Sequence, residues 1–449
     1  MPRPEDITAD HSAARRVIAA IWHIEAARII GAVARIVREV GLAEEFAQDA
    51  LVAALERWPV DGVPENAGAW LMTAPKRRAF DYLRHQRVTS EKADEFGHQL
   101  DFEHDLAQDE LIEQVDAKLD AASEAAIGDD LLRLIFTACH PVLSPEARCA
   151  LTLRVMGGLS TDEIARAYLK PEATIAQRIV RAKRTLAAAR VPFEVPRGTE
   201  LVQRLASVLE VIYLIFNEGY SATAGEDWIR PALCEEALRL GRVLAGLMPA
   251  ESEVLGLVAL MEIQSSRFAA RVSAKGEPIL LLDQDRSRWD RLLIRRGLDA
   301  LARAESLPVA LGPYALQAAI AACHAQALDV RQTDWERIAA LYDALAQAAP
   351  SPVVTLNRAV AVAMAFGPAA GLEIVDTLRG EASLQNYHLL PSVRGDLLVR
   401  LHRHAEARAE FERAAEQTRN TREQALLLDR ARRCADAMRR TSSSTISSQ

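Results

Sequence analysis

The stretch from Ser144 to Leu186 constrains the fold more than any other part of this chain. It reads SPEARCALTLRVMGGLSTDEIARAYLKPEATIAQRIVRAKRTL. Ser144 followed by Pro145 is a helix start, because the serine hydroxyl accepts a first-turn N–H and proline loses no hydrogen bond at the first helical position. Gly157-Gly158 is a helix stop, the Ser-Thr-Asp-Glu run after it is a capping box, and Pro171 opens a further helix. The sequence therefore predicts three short helices joined by two tight turns.

The last of these helices is predicted to have one apolar and one basic face. The apolar residues recur at helical spacing and should pack on the two preceding helices. They are Ile175, Ile179, Ala182 and Leu186. The opposite face consists of Thr174, Gln177, Arg178 and Arg181, and its charge is extended by Lys183 and Arg184. In a helix-turn-helix, Arg and Gln of the second helix pair with base edges while Thr and Lys bind phosphates. We interpret this face as a DNA-reading surface; the alternative is a polar face that contacts only water.

A second basic segment, AWLMTAPKRRAFDYLRHQR, spans residues 69–87. Its positive side chains form a dense strip beside aromatic residues. The strip comprises Lys76, Arg77, Arg78, Arg84 and Arg87. Stacking combined with phosphate contact is what the binding of separated DNA strands requires. Trp70 is equally compatible with a place in the hydrophobic core. Pro75 is expected either to kink this helix or to separate two shorter ones.

The preceding segment, residues 42–58, is predicted to be an amphipathic helix that ends at Pro59. Its polar side is formed by Glu44, Glu45, Gln48 and Asp49. Such a surface either binds a partner or is simply solvated. Residues 11–40 are predicted to form another apolar helix or helix pair, with Gly31 as a point of irregularity.

The composition favours an all-α protein, because Ala and Leu dominate and aromatic residues make up only 5% of the chain. The net charge of −8 argues against attraction of the whole chain to nucleic acid, so DNA binding must come from local basic patches. The five cysteines have no metal-ligand spacing, and we expect reduced, mostly buried thiols. The first residues have no apolar signal core, and Asn357-Arg358 interrupts the longest apolar run. We therefore expect a soluble cytoplasmic protein without a membrane span.

The rest of the chain consists of an acidic segment and a long helical part. Residues 91–130 carry fourteen acidic residues against two lysines, which is typical of a flexible linker, with room for a short helix near 109–122. After a boundary marked by prolines at residues 191–197, the chain is predicted to be nearly all helical to about residue 440. Within it, residues 387–416 match the helix pair of a tetratricopeptide unit, and a degenerate copy lies upstream.

In this order the segments resemble a bacterial RNA polymerase sigma factor of the extracytoplasmic-function group, of the kind with a long C-terminal tetratricopeptide-like extension. AEEFAQDALVAALERW is similar to that family's polymerase-binding helix, which implies polymerase contacts from Phe46, Gln48, Asp49, Leu55 and Trp58. Residues 69–87 are similar to the segment that melts and reads the −10 promoter element, which implies that Trp70 and the basic strip contact DNA. Residues 158–186 are similar to the helix-turn-helix that reads the −35 element, which implies DNA contacts from Thr174, Gln177, Arg178, Arg181 and Lys183.

The resemblance implies an all-α architecture in five parts. These are a region 2-like domain over 1–90, a flexible acidic linker over 91–127, a region 4-like helix-turn-helix domain over 128–190, a helical tetratricopeptide-like extension over 191–440, and a disordered tail over 441–449. It also implies core RNA polymerase and promoter DNA as partners, no membrane, no cofactor, and no chemistry performed by the chain itself. A protein or small-molecule partner is expected for the extension, and its identity stays open.

Two other classes of function stay open on the sequence. One is a stand-alone helix-turn-helix regulator with a helical sensory domain, which would bind DNA specifically without polymerase. The other is an enzyme within residues 200–440, although no catalytic or metal-ligand arrangement stands out there.

Overall fold

The computed structural model describes residues 4–94, 124–168, 170–221, 229–273 and 277–446. Over these residues the chain forms nineteen α-helices and no β-strand, so the predicted all-α fold is confirmed. The chain divides into two compact units, Met1–Val211 and Ile212–Gln449. The short helix predicted near 109–122 and most of the acidic linker lie outside the described residues.

The helices of the first unit follow the predicted order. They are α1 (Pro4–Val37), α2 (Val40–Asp61), α3 (Ala67–Asp94), α4 (Glu124–Ala138), α5 (Pro145–Val155), α6 (Thr161–Tyr168) and α7 (Glu172–Ala188). They are followed by α8 (Gly198–Tyr220), and the division between the two units falls within this helix.

Helix α1 supplies much of the core of the first unit. Its buried stripe packs against α2, α3 and α4 and consists of Ile18, Trp22, Ala26, Ile29, Ile30 and Val33. Helix α2 meets it with small side chains, including Ala43, Ala47 and Ala54, which let the two helices approach closely. Helix α1 runs without a break through Gly31. A Cβ at that glycine would lie only 3.3 Å from the main-chain oxygen of Asp130, so the glycine permits close packing on α4.

One part of α1 corrects the expectation that no apolar run is long enough to span a membrane. The helical segment from Arg15 to Val37 is long and apolar enough by length and composition, with a mean hydropathy of 1.6. Half of its most apolar window is buried inside the structure, where it contacts the neighbouring helices. This is the environment of a core helix in a globular domain, which passes the same test of length and composition.

Two of the predicted helix breaks at prolines do not occur. Helix α2 continues through Pro59 to Asp61 and ends at Gly62, whose φ is +87° and whose N–H donates to the carbonyl of Trp58. Helix α3 is continuous through Pro75, so of the two alternatives, a kink or two shorter helices, the second is wrong. Pro75 lies in one buried stripe with residues 71 and 79. We attribute the continuous helix to this packing, which offsets the cost of about 3 kcal/mol for a proline inside a helix.

Helices α5, α6 and α7 form the predicted helix-turn-helix, and their caps are confirmed. The hydroxyl of Ser144 accepts the N–H of Ala147 at 3.3 Å. Ser160 and Glu163 form the capping box, because each side chain accepts the other residue's N–H, at 3.1 and 2.7 Å. Gly158 has a φ of +66°, as a glycine helix stop requires.

The second unit is built from the end of α8 and eleven further helices among the described residues. They are α9 (Pro231–Leu247), α10 (Ser252–Ser265), α11 (Phe268–Arg271), α12 (Arg291–Glu305), α13 (Pro313–Gln326), α14 (Trp335–Ala348), α15 (Pro352–Phe366), α16 (Pro368–Thr377), α17 (Leu389–Arg400), α18 (His404–Gln417) and α19 (Thr421–Ile446). Because α19 runs to Ile446, the disorder predicted for 441–449 is wrong over 441–446.

Two successive helix pairs of this unit pack as the tetratricopeptide pattern predicts. In the pair α17–α18, a Cβ at Gly395 would lie 2.8 Å from the ring of Phe411. In the pair α15–α16, a Cβ at Gly371 would lie 2.4 Å from the side chain of Ala363. Each pair therefore has a glycine where its helices approach most tightly, which fits a helical repeat.

All five cysteines are buried free thiols, which confirms the expectation from their spacing. Burial raises the pKa of Cys139, Cys149 and Cys234 to about 12. Burial also raises the pKa of Cys323 and Cys434.

Candidate nucleic-acid interface

The polar face predicted on α7 is largely open to solvent. The apolar residues of this helix, Ile175, Ile179, Ala182 and Leu186, are all buried. On the opposite side, the exposed residues are Thr174, Gln177, Arg181 and Arg184. Arg178 is half-buried, and it helps to lower the pKa of Glu146 on α5, after that residue's own N–H and the hydroxyl of Ser144. The arrangement presents amide, hydroxyl and guanidinium donors on one side of a capped helix.

Lys183 lies apart from this exposed face. Its ammonium group forms an ion pair with Glu44 of α2. The other carboxylate oxygen of Glu44 accepts Nε of Arg154 on α5 at 2.8 Å. Glu44 is only 3% exposed, so the expectation that it belongs to a polar surface of α2 is wrong. It occupies the same inward stripe as Val40 and Ala47, both of which are buried.

The basic strip of α3 has both exposed and buried members. Arg77 is exposed, and Arg84 is exposed with its guanidinium 3.0 Å from Asp81. Arg78 is about half exposed and pairs with Asp49 of α2. Lys76 is only 9% exposed. The side chain of Arg87 lies outside the described residues.

Trp70 stands at the start of this strip, half-buried. Its ring makes an edge contact with Trp58 at 5.3 Å between centroids. Trp58 is 2% exposed, so it belongs to the core beneath Trp70. One tryptophan is therefore held in place by a second one, and part of its ring remains accessible.

The residues predicted on α2 for protein binding differ in their accessibility. Asp49 and Leu55 are exposed, while Phe46 and Gln48 are half-buried. The ring of Phe46 makes an edge contact with Tyr82 of α3 at 6.0 Å between centroids. Trp58 is the member of this set that lies inside the fold.

Comparison with known families matches three segments of the chain. Residues 24–89 match "Sigma-70 region 2", residues 133–186 match "Sigma-70, region 4", and residues 204–305 match the "Family of unknown function (DUF6596)". The ECF RNA polymerase sigma factors SigK of Mycobacterium tuberculosis and Mycobacterium bovis are each 32% identical over 163 residues, which cover 35% of this chain and 78% of theirs. The chain belongs to the ECF RNA polymerase sigma factors.

The similarity of this sigma factor to other chains extends beyond regions 2 and 4. An uncharacterized protein of Rhizobium meliloti is 44% identical over 401 residues, which cover 89% of the sigma factor and 91% of that protein. No solved structure matched. Region 2 thus contains the C-terminal part of α1 from residue 24, together with α2 and most of α3, and region 4 contains the helix-turn-helix.

The roles of Glu44 and Arg154 in this sigma factor were not predicted from the sequence. The sequence does contain a signal for the burial of Glu44, because this residue lies four residues after Val40 and three before Ala47 on a helix and so shares their face. A carboxylate in such a stripe indicates a buried partner rather than a solvated surface. Nothing near Arg154 in the sequence identified α2 as its partner, since the two residues are 110 positions apart.

Proposed function

We propose that this sigma factor binds core RNA polymerase and directs promoter-specific initiation of transcription through the −10 and −35 elements. The supporting observation is that two separate basic helices, α3 and α7, lie within the segments that match regions 2 and 4. The protein would act in the cytoplasm, without a cofactor, and the polymerase would perform the nucleotide addition.

For the −35 element, the proposed contacts come from the polar face of α7. Arg178, Arg181 and Gln177 are the proposed base-reading side chains, because Arg and Gln offer bidentate or paired donors to base edges. Thr174 and Arg184 are proposed to bind phosphates. Lys183 would join them only once it separates from Glu44, with which it pairs here.

For the −10 element, the proposed contacts come from Trp70 and the strip on α3. Trp70 would stack on an unpaired base, while Arg77, Arg78, Arg84 and Arg87 would bind the backbone of the separated strands. Lys76 is buried, so we propose that it supports the helix rather than contacting DNA directly.

For polymerase, the proposed contacts are Phe46, Gln48, Asp49 and Leu55 on α2. Trp58 is buried, and we propose that it acts indirectly by holding Trp70 and the end of α2. The Asp49–Arg78 ion pair connects the proposed polymerase and DNA surfaces of region 2.

We propose that the functions of the chain are divided among five parts. These are region 2 over 1–90, the acidic linker over 91–127, region 4 over 128–190, the extension over 191–440, and the tail over 441–449. We propose that the extension regulates the activity of the other parts. A variant that ends at Val211 tests this in run-off transcription: higher activity indicates inhibition by the extension, lower activity indicates support, and unchanged activity rejects regulation.

Transcription in vitro with purified core polymerase and a promoter library tests the main proposal. A sigma factor should give specific transcripts only when core enzyme is present. Its binding to DNA alone should be weak, because two modest DNA modules gain effective concentration only when a larger frame holds both in register. A footprint by the isolated protein as strong as that with core enzyme would favour the stand-alone regulator instead.

A further inference from the structure

A cleft in the second unit lies between three helices of the segment that matches the family of unknown function. Helix α9 contributes Arg242 to its lining, α10 contributes Glu262, and α12 contributes Arg296 and Arg303. On α10 and α12 the lining residues recur at spacings of three, four and seven positions, so each of these helices turns one face towards the cleft. The volume of the cleft, about 550 Å³, is within the range of about 300–1,000 Å³ that is typical of small-molecule sites.

The floor of the cleft is apolar and closely packed. It includes Leu255 and Val258 of α10 and Ala300 of α12, all of which are buried. Beside them, a Cβ at Gly297 would lie only 2.5 Å from Cγ1 of Ile263, so α12 rests directly on α10. Because close-packed helices cannot shift without losing these contacts, the cleft is a preformed feature of the fold.

Glu262 brings a buried carboxylate to the cleft. Its Oε1 accepts both Nε and a terminal N–H of Arg242, each at 2.8 Å. Its Oε2 is also buried and accepts no hydrogen bond from a described residue. The side chain of Glu262 is 3% exposed, while that of Arg242 is 43% exposed. Burial raises the pKa of Glu262, although Arg242 opposes this effect. A buried carboxylate oxygen without a donor is costly, so a donor from a bound molecule would stabilise it.

The rim of the cleft carries positive charge that no ion pair neutralises. Arg296 and Arg303 are both exposed, and neither forms an ion pair with any residue that the structure describes. Asp299 lies on the same face of α12 and is also exposed without an ion pair to a described residue. Because Arg242 and Glu262 neutralise each other, the two rim arginines leave the cleft positive in spite of this aspartate. The fork of a guanidinium binds phosphate or carboxylate through paired hydrogen bonds.

We infer that this cleft binds a small hydroxylated organic anion. Arg296 and Arg303 bind its phosphate or carboxylate group, Oε2 of Glu262 accepts a hydrogen bond from one of its hydroxyl groups, and the apolar floor packs against its carbon skeleton. The site itself is independent of the function proposed above. Only the further step, in which the bound anion alters transcription through the extension, rests on that function.

Protection of the two rim arginines from chemical modification locates the site. Phenylglyoxal modifies exposed guanidiniums, and peptide mass spectrometry of the full-length protein reports each arginine separately. The probes are glucose 6-phosphate and gluconate, which carry a phosphate and a carboxylate, and the control is uncharged glucose. At a saturating concentration, at least one probe should slow the modification of Arg296 and Arg303 by about tenfold. Arg331, which is highly exposed in the same unit, should react at an unchanged rate. Equal protection by glucose, or no protection by either probe, would overturn the inference.

Variants of the full-length protein, titrated by calorimetry with the protecting probe, test the contacts. Arg296→Gln/Arg303→Gln should weaken binding by about tenfold or more, because both charge-assisted contacts are lost. The matched control is Arg295→Gln, which removes the same charge from an exposed neighbour outside the cleft lining. Gly246→Phe should also weaken binding about tenfold, since Gly246 lines the cleft and a Cβ there would meet no atom within 4 Å. Gly246→Ala is its control and should bind as the wild type does.

Inorganic phosphate, which lacks the carbon skeleton, should bind at least about tenfold more weakly than the probe. Equal affinity for the two, or an unchanged affinity in the double arginine variant or in Gly246→Phe, would overturn the inference. Run-off transcription with core polymerase is measured separately, with and without the probe. Binding that is lost in these variants supports the site whatever the transcription result. A wild-type protein that binds the probe but gives no transcript with core polymerase would reject the proposed function instead.

Discussion

The guanidinium of Arg204 on α8 donates a hydrogen bond of 2.6 Å to the main-chain carbonyl of Phe136 on α4. Nearby, the hydroxyl of Ser207 donates to the carbonyl of Cys139 at 2.6 Å, and Arg148 of α5 forms an ion pair with Glu210 at 2.9 Å. The first helix of the extension is therefore part of the packing of region 4. A truncation that removes α8 would damage the helix-turn-helix domain itself, which is why Val211 is the better end point.

The first prediction concerns Arg204, which is 5% exposed. Replacing it with alanine should lower the free energy of unfolding by about 1.5–3 kcal/mol, the usual contribution of hydrogen bonds to charged groups. Chemical denaturation of the full chain measures the change. Arg403→Ala is the matched control, because Arg403 pairs with Glu406 on an exposed surface and should leave the unfolding curve unchanged. Equal effects of the two substitutions would contradict the anchoring role of Arg204.

The second prediction concerns the DNA-reading face of α7. Arg178→Ala and Arg181→Ala should each reduce −35-dependent transcription by about tenfold, because one base contact contributes roughly 1–3 kcal/mol of discrimination. Binding to core polymerase, measured separately, should not change. Arg331→Ala serves as a control, since Arg331 is highly exposed in the second unit and pairs with Asp329. A loss of polymerase binding in the α7 variants would show that this face has a different role.

The third prediction separates the two tryptophans of region 2. Trp58→Ala should lower the free energy of unfolding by about 3–5 kcal/mol, the usual cost of removing a buried large aromatic side chain. Trp70→Ala should change stability much less, because its ring is only half-buried, but it should reduce strand separation at the promoter. Permanganate reactivity of unpaired thymines measures that separation. A Trp70 variant that melts the promoter normally would rule out its proposed stacking role.

The fourth prediction concerns His324, which is 8% exposed. Burial, together with the charges of Arg267 and Arg286, lowers the pKa of this histidine to about 3. The unfolded chain takes up a proton near pH 6.5 that the folded protein does not, so stability is present above that pH and declines as the pH falls towards 3. Between pH 7 and pH 5 the loss should be about 2 kcal/mol. Denaturation curves at both pH values measure it, and His324→Phe, which keeps an aromatic ring against Trp335, should show a smaller loss. An equal pH dependence in both proteins would contradict the assignment to His324.

Local signals in the sequence predicted the elements and the caps well. The serine and glycine positions around Ser144 and Gly158 specify helix ends through neighbouring backbone groups, so they can be recognised within a few residues. The apolar stripe of α7 was predicted correctly for the same reason, because helical spacing is also a local signal. The end predicted for α2 at Pro59 is two residues before the observed end at Asp61, and at Pro75 tertiary packing outweighed the local preference of proline against a helix.

The contact between Glu44 and Lys183 could not be predicted from local sequence signals. The two residues are 139 positions apart, and nothing in the sequence around either residue indicates that they are in contact. Helical spacing places both Lys183 and Arg181 among the basic residues of α7. Only the packing of region 2 on region 4 shows that Lys183 pairs with Glu44 while Arg181 is exposed. Which polar residues of a helix remain available to a partner is decided by the docking of the remaining helices, which helical spacing alone does not reveal.

The buried cysteines limit the kinds of stimulus that this protein can sense directly. A thiol reacts with peroxides, disulfides or electrophiles as its thiolate, and near neutral pH a thiol with a pKa of about 12 is almost entirely protonated. With Cys139, Cys149 and Cys234 in that condition and all five cysteine sulfurs inside the fold, these thiols should react slowly with oxidants that leave the chain folded. Direct sensing of oxidants through these cysteines is therefore not expected while the chain stays folded.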